Sequence, residues 1–215
     1  IYAGDLQGNI WRFNVSSSDK DQWSASSIFV ATGPDGKVQP VILAPQLSWH
    51  PRLSLARTAS KPNLVLTFSG GKFLESCDKD AEGCSGESTT RSVYSIWDFG
   101  GFICKRSELA AVGVQHFPAA TMPKTRHVFD YGSPAYPGSA LNNAACVTSG
   151  DRTLLSVDGK TSYSLSRYKL GFYVDLALPQ ENVVNLEVFG KYRVIFETDY
   201  RKSGTDACES EYVTY

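Results

Sequence analysis

The chain has 215 residues, which is the size of one domain or of a large part of one. Hydrophobic residues make up 42% and charged residues 20% of it, and this composition excludes an intrinsically disordered chain. A net charge of -1 argues against field-driven binding to nucleic acid or to anionic membranes. Apolar runs are too short for a membrane span. Since the chain opens on Ile1 without a signal peptide, we expect it to be a piece of a longer protein.

Short runs of β-branched and aromatic residues alternate with turn residues along most of the chain, a pattern that predicts strands. The first two strands lie between Tyr2 and Val15, on either side of a tight turn at Gly8-Asn9. Further strands are predicted at 27–32, 38–44 (an edge strand, because of Pro40), 64–68, 92–98, 162–166, 170–176, 183–189 and 193–198. No amphipathic helical window separates them, so the fold class is all-β, either a sandwich or a propeller.

The middle of the chain lacks this regularity. Residues 102–150 contain four prolines and few clear periods. We therefore expect residues 1–215 to be part of one β-propeller domain that carries an insertion at 102–165. Since a four-stranded blade takes roughly 40 to 45 residues, the length would hold about four or five blades at most, which predicts a partial propeller.

Cysteine usage indicates an oxidising compartment. There are five cysteines, with no CxxC pair, and only three histidines, so a structural zinc site is unsupported. Cys77 and Cys84 enclose a short polar segment that contains Gly83, and we predict a disulfide between them. Cys104 with Cys146 is a second predicted pair, which leaves Cys208 to a partner outside the chain.

Acidic residues inside the Cys77–Cys84 loop form the best candidate metal site. Asp78, Asp80 and Glu82, followed by Gly83, match the oxygen ligands and the glycine at the start of a calcium loop. Position twelve of such a loop would be Thr89, which cannot supply the usual bidentate carboxylate. Because that closing carboxylate is missing, a solvated acidic loop is the default interpretation. At the first hairpin, Asp5 and Asn9 are expected to cap the turn, with a role in an upstream metal loop as the alternative.

Catalytic motifs are not found. The sequence has no Gly-x-Ser-x-Gly elbow, no Walker A motif and no dinucleotide-binding glycine pattern, so we do not expect an enzyme. Trp11, Phe13 and Trp97 lie in alternating strands and are predicted to be core residues. Trp23 and Trp49 lie in predicted loops, where exposed aromatic rings could bind glycans or hydrophobic surfaces.

Several segments, in this order, are similar to the C-terminal β-propeller of the PilC/PilY-type type IV pilus tip adhesins. They are YAGDLQGNIWRF at 2–13, the Gln-Pro strand at 38–41, FSGGKFLE at 68–75 followed by Asp78, SVYSIWD at 92–98, GFYVDL at 171–176, VIFET at 194–198 and the turn at 206–208. The likeness is weak from about 102 to 165. Ser69, Phe172 and the segment 179–182 depart from the family pattern.

This resemblance implies an extracellular protein at the pilus tip or the outer-membrane surface of a Gram-negative bacterium. Such a protein would assist pilus biogenesis and twitching motility and would bind minor or major pilins and a host-cell or abiotic surface receptor. The family's calcium loop would lie upstream of Ile1, so its calcium ligands are not expected within this chain. Two alternatives stay open: a quinoprotein-type propeller oxidoreductase, for which the adjacent cysteine pair is missing, and a purely structural secreted β domain.

Overall fold

The structure is a computed structural model. It describes residues 1–50, 62–79, 83–100, 106–112, 153–155, 162–164, 170–176, 178, 181–189, 193–201 and 210–214. Within these ranges the regular structure consists of strands and three short 3-10 turns, so the predicted all-β class is confirmed. Among the described residues, no helix is long and apolar enough to cross a bilayer.

The described strands form four sheets. In chain order, they are β1 (Tyr2–Gly4), β2 (Asn9–Asn14), β3 (Ser24–Val30), β4 (Gln46–Trp49), β5 (Leu64–Ser69), β6 (Ser92–Asp98), β7 (Ala110–Ala111), β8 (Thr153–Leu155), β9 (Ser162–Ser164), β10 (Gly171–Asp175), β11 (Asn182–Phe189), β12 (Arg193–Arg201) and β13 (Ser210–Thr214). The first sheet has the order β1-β2-β3, the central sheet β4-β5-β6-β10-β7 and the third sheet β11-β12-β13, while β8 and β9 pair separately.

The central sheet is built around an antiparallel meander. β4, β5, β6 and β10 pair in that order, and the short β7 adds to β10 in parallel. β6 ends at Asp98 and its partner β10 begins at Gly171, so residues 99–170 lie between two neighbouring strands of one sheet. Most of that interval is the stretch for which the sequence predicts an insertion. Most of these residues lie outside the described ranges, so the insertion and the domain boundaries stay predictions.

The side chains of β6 alternate between the two faces of the central sheet and so contact both the first and the third sheet. Successive side chains of a strand point to opposite faces of its sheet. Tyr94 packs against Phe29 of the first sheet, with ring centroids 5.4 Å apart, and both belong to a cluster with Ile10. Its neighbour Val93 belongs to a second cluster, with Leu186 of the third sheet. The central sheet therefore lies between the other two, face to face, as neighbouring propeller blades do.

A polar contact also joins the first and central sheets. Asp98 at the end of β6 accepts hydrogen bonds from the Tyr2 hydroxyl at 2.9 Å and from Arg12 Nη1 at 2.8 Å. Burial, and then the charge of Asp98, raises the pKa of the Tyr2 phenol above its ordinary value, so Tyr2 stays a donor. The Asp98 side chain is fully buried, and this pairing satisfies both of its oxygens.

The strand prediction at 38–44 and the loop prediction for Trp49 were wrong. Only isolated bridges occur at Val38 and Val41, since Pro40 has no N–H and the backbone of segment 38–41 bonds to four different residues, Asp5, Ala31, Gly71 and Ser88. Trp49 is not in a loop: it ends strand β4, an edge strand on which its ring stays 48% exposed. Trp97 is buried as predicted, whereas Trp11 and Phe13 are only half-buried.

Candidate functional site

The candidate site comprises the disulfide-closed loop and a cleft beside it. In the structure, Cys77 and Cys84 form a disulfide with an S–S distance of 1.98 Å and a Cα–Cα distance of 4.9 Å. Cys77 lies in a short 3-10 turn, Ser76–Lys79, and Gly83 has a φ of +69°, a backbone conformation that glycine adopts without strain. The disulfide that the sequence predicts between Cys77 and Cys84 is therefore present in the structure. Cys104, Cys146 and Cys208 lie outside the described residues.

Asp78 supports the loop from inside. Its side chain is buried, and Oδ2 accepts hydrogen bonds from the backbone N–H groups of Leu74 at 2.9 Å and Glu75 at 2.8 Å. Oδ1 lies 3.8 Å from Arg91 Nη2. These contacts engage Asp78 as a buried anion that closes the turn. The other two predicted metal ligands, Asp80 and Glu82, lie outside the described residues, so the three-ligand calcium site stays a prediction.

Four more charges surround Asp78. Lys72 Nζ lies 2.9 Å from Glu87 and 3.3 Å from Glu75, and the hydrogen bond to Glu87 raises the Lys72 pKa above its usual range. Arg91 is fully buried, and burial lowers the pKa of its guanidinium although Glu87 and Asp78 oppose that effect. Removing one member of such a buried set would leave an uncompensated charge, so the cluster fixes the loop on the central sheet.

Two groups of candidate metal ligands occur in the described part of the chain. Glu75 with Cys77 and Cys84 forms one, and Asp78 with Cys84 and Glu87 forms the other; within each group the ligand atoms lie within 4.8 Å of one another. Both groups depend on cysteine sulfur, and the metal-binding form of cysteine is the thiolate. Because the two sulfurs are joined as a disulfide, neither group can supply a thiolate.

Gly70 and Gly71 directly follow β5 and open the segment that leads to the disulfide-closed loop. Gly71 has a φ of +134°, and its N–H donates to Pro40 O at 2.6 Å. A Cβ at Gly71 would lie 2.6 Å from Asn182 Oδ1, and one at Gly70 would lie 2.3 Å from Gln39 Oε1. Glycine is required at both positions because backbone and side chains of neighbouring segments approach closely. This accounts for the glycines of the FSGGKFLE segment.

Gln39 connects the Gln-Pro segment to the central sheet. Its fully buried side chain donates from Nε2 to Thr90 O at 2.5 Å and to Ser92 Oγ at 3.0 Å. Its Oε1 accepts the Tyr94 hydroxyl at 3.0 Å. Two segments that the sequence motifs selected separately, 38–41 and 92–98, therefore meet at one amide.

A cleft opens between the loop and the third sheet. It has a volume of about 180 Å³ and is lined by Ile42, Leu43, Ser69, Gly70, Gly71, Lys72, Phe73, Asn182, Val183, Val184 and Asp199. Three apolar lining side chains are exposed, namely Ile42 (43%), Phe73 (54%) and Val184 (47%). The similarity segment 68–75 thus supplies one wall, while β11 and Asp199 of β12 supply the other.

Sequence reasoning missed Arg106. Its guanidinium lies 3.6 Å from the ring centroid of Tyr173, pairs with Asp175 and donates to Thr32 O at 2.9 Å. Cation–π stacking and charged hydrogen bonds together join β10, β6 and the segment after β3. No spacing or motif in the irregular region around Arg106 indicates this role.

No protein-family model matches the chain. Curated relatives do. A type IV pilus biogenesis factor PilY1 homolog of Xylella fastidiosa is 28% identical over 138 residues, which cover 60% of this chain and 8% of the relative. PilY1 of Pseudomonas aeruginosa (strain PAO1) is 28% identical over 117 residues, covering 45% of this chain and 9% of the relative. The chain thus spans less than a tenth of these relatives.

The fold is similar to a solved structure. The crystal structure of the Pseudomonas aeruginosa PilY1 C-terminal domain matches with a TM-score of 0.51 and 19% identity, covering 92% of this chain and 40% of that domain. Fold and layering define an all-β protein of the β-propeller class. The sequence relatives point in the same direction: part of this chain is similar in sequence to PilY1, so the predicted resemblance to PilC/PilY-type proteins is confirmed.

Proposed function

We propose that this chain is the propeller part of a type IV pilus biogenesis factor that acts at the pilus tip or on the outer-membrane surface of a Gram-negative bacterium. The observation that carries the proposal is the similarity to PilY1 in both sequence and fold. The segments that resemble the family also build one structure here. Gln39, Gly71 and Tyr94 contact each other's segments through buried hydrogen bonds.

The proposed role is binding without catalysis. The relatives are described as pilus biogenesis factors. Ligand pockets for small molecules usually have volumes of roughly 300–1,000 Å³. The cleft, at about 180 Å³, is smaller, which supports contact with side chains of a partner rather than a quinone cofactor. The proposed partners are minor or major pilins and a host-cell or abiotic surface receptor.

The family resemblance is the only reason to consider calcium in this proposal. We propose that any calcium dependence resides in the family loop, not in the loop that contains Asp78. Asp78 supports this view because its Oδ2 accepts two backbone N–H groups and its Oδ1 faces Arg91. A carboxylate whose oxygens already face protein donors has few free lone pairs left for a cation, which makes it a poor calcium ligand.

A binding experiment tests the role. Purified residues 1–215 are immobilised, and binding of separately purified major and minor pilins is measured by surface plasmon resonance. An unrelated secreted all-β domain on the reference surface controls for adhesion to exposed strands. We expect saturable binding of at least one pilin to this chain only. Equal responses on both surfaces would contradict the proposal. In a bacterium that encodes the chain, in-frame removal of these residues is expected to reduce twitching and surface piliation.

A further inference from the structure

The cleft combines an apolar rim with a carboxylate at its wall. Ile42, Phe73 and Val184 are large enough and exposed enough to form a small hydrophobic surface. Exposed apolar groups that cluster around a concavity mark interaction sites more often than isolated ones do. The chemistry of an occupant can then be inferred from the polar lining.

Among the polar residues that line the cleft, Asp199 indicates the chemistry of a partner. It pairs with Asn182 across β11 and β12, so both side chains share the face that lines the cleft. Its Oδ1 is inaccessible to solvent and accepts no hydrogen bond from the described residues. A carboxylate oxygen in this position is shielded from water without gaining a hydrogen bond from the described residues, which is unfavourable. Asp199 as a residue is only half-buried and lines the cleft, so a cation from a partner can approach its carboxylate from the cleft and offset this loss through its charge.

Lys72 does not pair with Asp199. Its ammonium is held by Glu87 at 2.9 Å and by Glu75 at 3.3 Å, on the loop side of the cleft. Among the described residues that line the cleft, Lys72 carries the positive charge and Asp199 the negative charge, and no ion pair joins them. The cleft therefore presents an acid whose complement is a cation from outside.

The wall formed by β11 favours side-chain docking over strand addition. The register between β11 and β12 shifts between Val183 and Asn185, so Val184 lies at a bulge. Bulges disrupt the hydrogen-bond ladder and prevent an added strand from pairing regularly. A volume of about 180 Å³ also suits side chains better than a cofactor.

We propose that this cleft is a docking site for a protein segment that places an apolar side chain against Ile42, Phe73 and Val184 and an adjacent lysine or arginine on Asp199. That the partner is a protein rests on the proposed function. The inference adds the chemistry of the contact, which the similarity to PilY1 does not provide.

Short peptides test this chemistry directly. The probes are acetyl-Gly-Leu-Lys-Gly-amide, its Lys→Gln analogue and its Leu→Ser analogue, titrated into 15N-labelled residues 1–215. We expect the Leu-Lys peptide to shift the amide signals of Gly70, Phe73 and Val184 and to bind about 5- to 10-fold more tightly than either analogue. Asp199→Asn should remove the preference for lysine over glutamine, and Phe73→Ala should weaken both. Asp21→Asn and Phe189→Ala are the matched exposed controls.

Several results would overturn the proposal: no shifts at the cleft, equal binding of the Lys and Gln peptides, or unchanged selectivity in Asp199→Asn. If that variant does not fold, the comparison of the two peptides on the native chain decides alone. Pilin binding that survives both Asp199→Asn and Phe73→Ala would leave the proposed function standing and reject this cleft as its contact. Selective peptide binding without any pilin binding would reject the pilin partner and keep the cleft.

Discussion

The indole Nε1 of Trp11 donates a hydrogen bond to Oδ2 of Asp5 at 2.8 Å, across the first hairpin. Asp5 accepts three further hydrogen bonds, from the N–H groups of Gln7 and Asn9 and from Asn9 Nδ2, each at 2.9 Å. Partial burial raises the pKa of Asp5, but these hydrogen bonds outweigh it and the pKa lies below its ordinary value. The GDLQGN turn is thus built around one carboxylate.

Replacing Asp5 should weaken this hairpin. Asp5→Ala removes all four hydrogen bonds, and we expect it to lower the free energy of unfolding by about 3 kcal/mol. Asp5→Asn keeps one carbonyl acceptor but turns an amide group toward the donors of Trp11 and Asn9, so its loss should be intermediate. Urea denaturation followed by tryptophan fluorescence measures both. Asp21→Ala on an exposed turn is the control, and equal losses at positions 5 and 21 would contradict the prediction.

Gln39 offers a second test of the motif segments. Gln39→Ala leaves the Tyr94 hydroxyl and Thr90 O without this partner and opens a cavity beside Gly70. We expect a loss of about 2–4 kcal/mol. Gln22→Ala, at an exposed position, should change stability by less than about 0.5 kcal/mol. Chemical denaturation measures the difference. A Gln39→Ala variant as stable as the Gln22→Ala control would show that the amide does not join these segments in solution.

The disulfide should stabilise the chain modestly. In the chain-entropy description, closing a loop as short as Cys77–Cys84 contributes about 2 kcal/mol. The double variant Cys77→Ser/Cys84→Ser should therefore lose about that amount. Peptide mapping without reduction should recover the two cysteines in one cross-linked fragment. Recovery of both as free thiols would contradict the disulfide, whatever the stability result.

Strong local patterns made much of the fold predictable. The hairpin between Tyr2 and Val15, the buried runs that became β5 and β6, and the Cys77–Cys84 spacing are all determined by neighbours in sequence. In such segments the alternation of side chains, the turn residues and the loop length act locally, so the local sequence is enough to predict the structure.

Long-range contacts could not be predicted. The strand expected at 38–44 is absent because the N–H groups of Gln39 and Val41 bond to Ala31 and Asp5. Burial of Asp78 depends on Arg91, and the roles of Arg106 and Asp199 depend on segments far away in the chain, including the opposite wall of the cleft. Sequence spacing suggested calcium at Asp78, whereas in the structure its carboxylate accepts hydrogen bonds from the nearby N–H groups of Leu74 and Glu75.

Calcium binding to this chain should be weak or absent. Asp78 is engaged by Leu74 and Glu75 N–H groups and faces Arg91, so a cation would have to displace existing contacts. Isothermal titration calorimetry of residues 1–215 with CaCl2 should give no heat attributable to micromolar binding. Asp78→Ala should lower stability without changing this result. Micromolar affinity that Asp78→Ala abolishes would contradict the prediction and make Asp80 and Glu82 ligand candidates.

His50 should make the chain sensitive to mild acid. It is buried against Trp97, with ring centroids 4.6 Å apart, and burial lowers its pKa from 6.5 to about 4. Between these two values the unfolded chain binds a proton at His50 that the folded chain does not. Stability is therefore unaffected by His50 above pH 6.5, falls as the pH drops toward 4 and changes no further below it. The full difference is about 3 kcal/mol.

Comparison with a variant isolates this contribution from the carboxylates, which titrate mostly below pH 5. Urea unfolding of the native chain and of His50→Phe is measured at half-unit steps from pH 7.5 to pH 5. The native chain should lose up to about 1.4 kcal/mol per pH unit more than the variant at the acid end of this range. His50→Gln serves as a second, polar replacement in case the phenyl ring does not fit beside Trp97. Parallel pH profiles for the native chain and both variants would mean that His50 is protonated equally in the folded and unfolded states, and would contradict its burial.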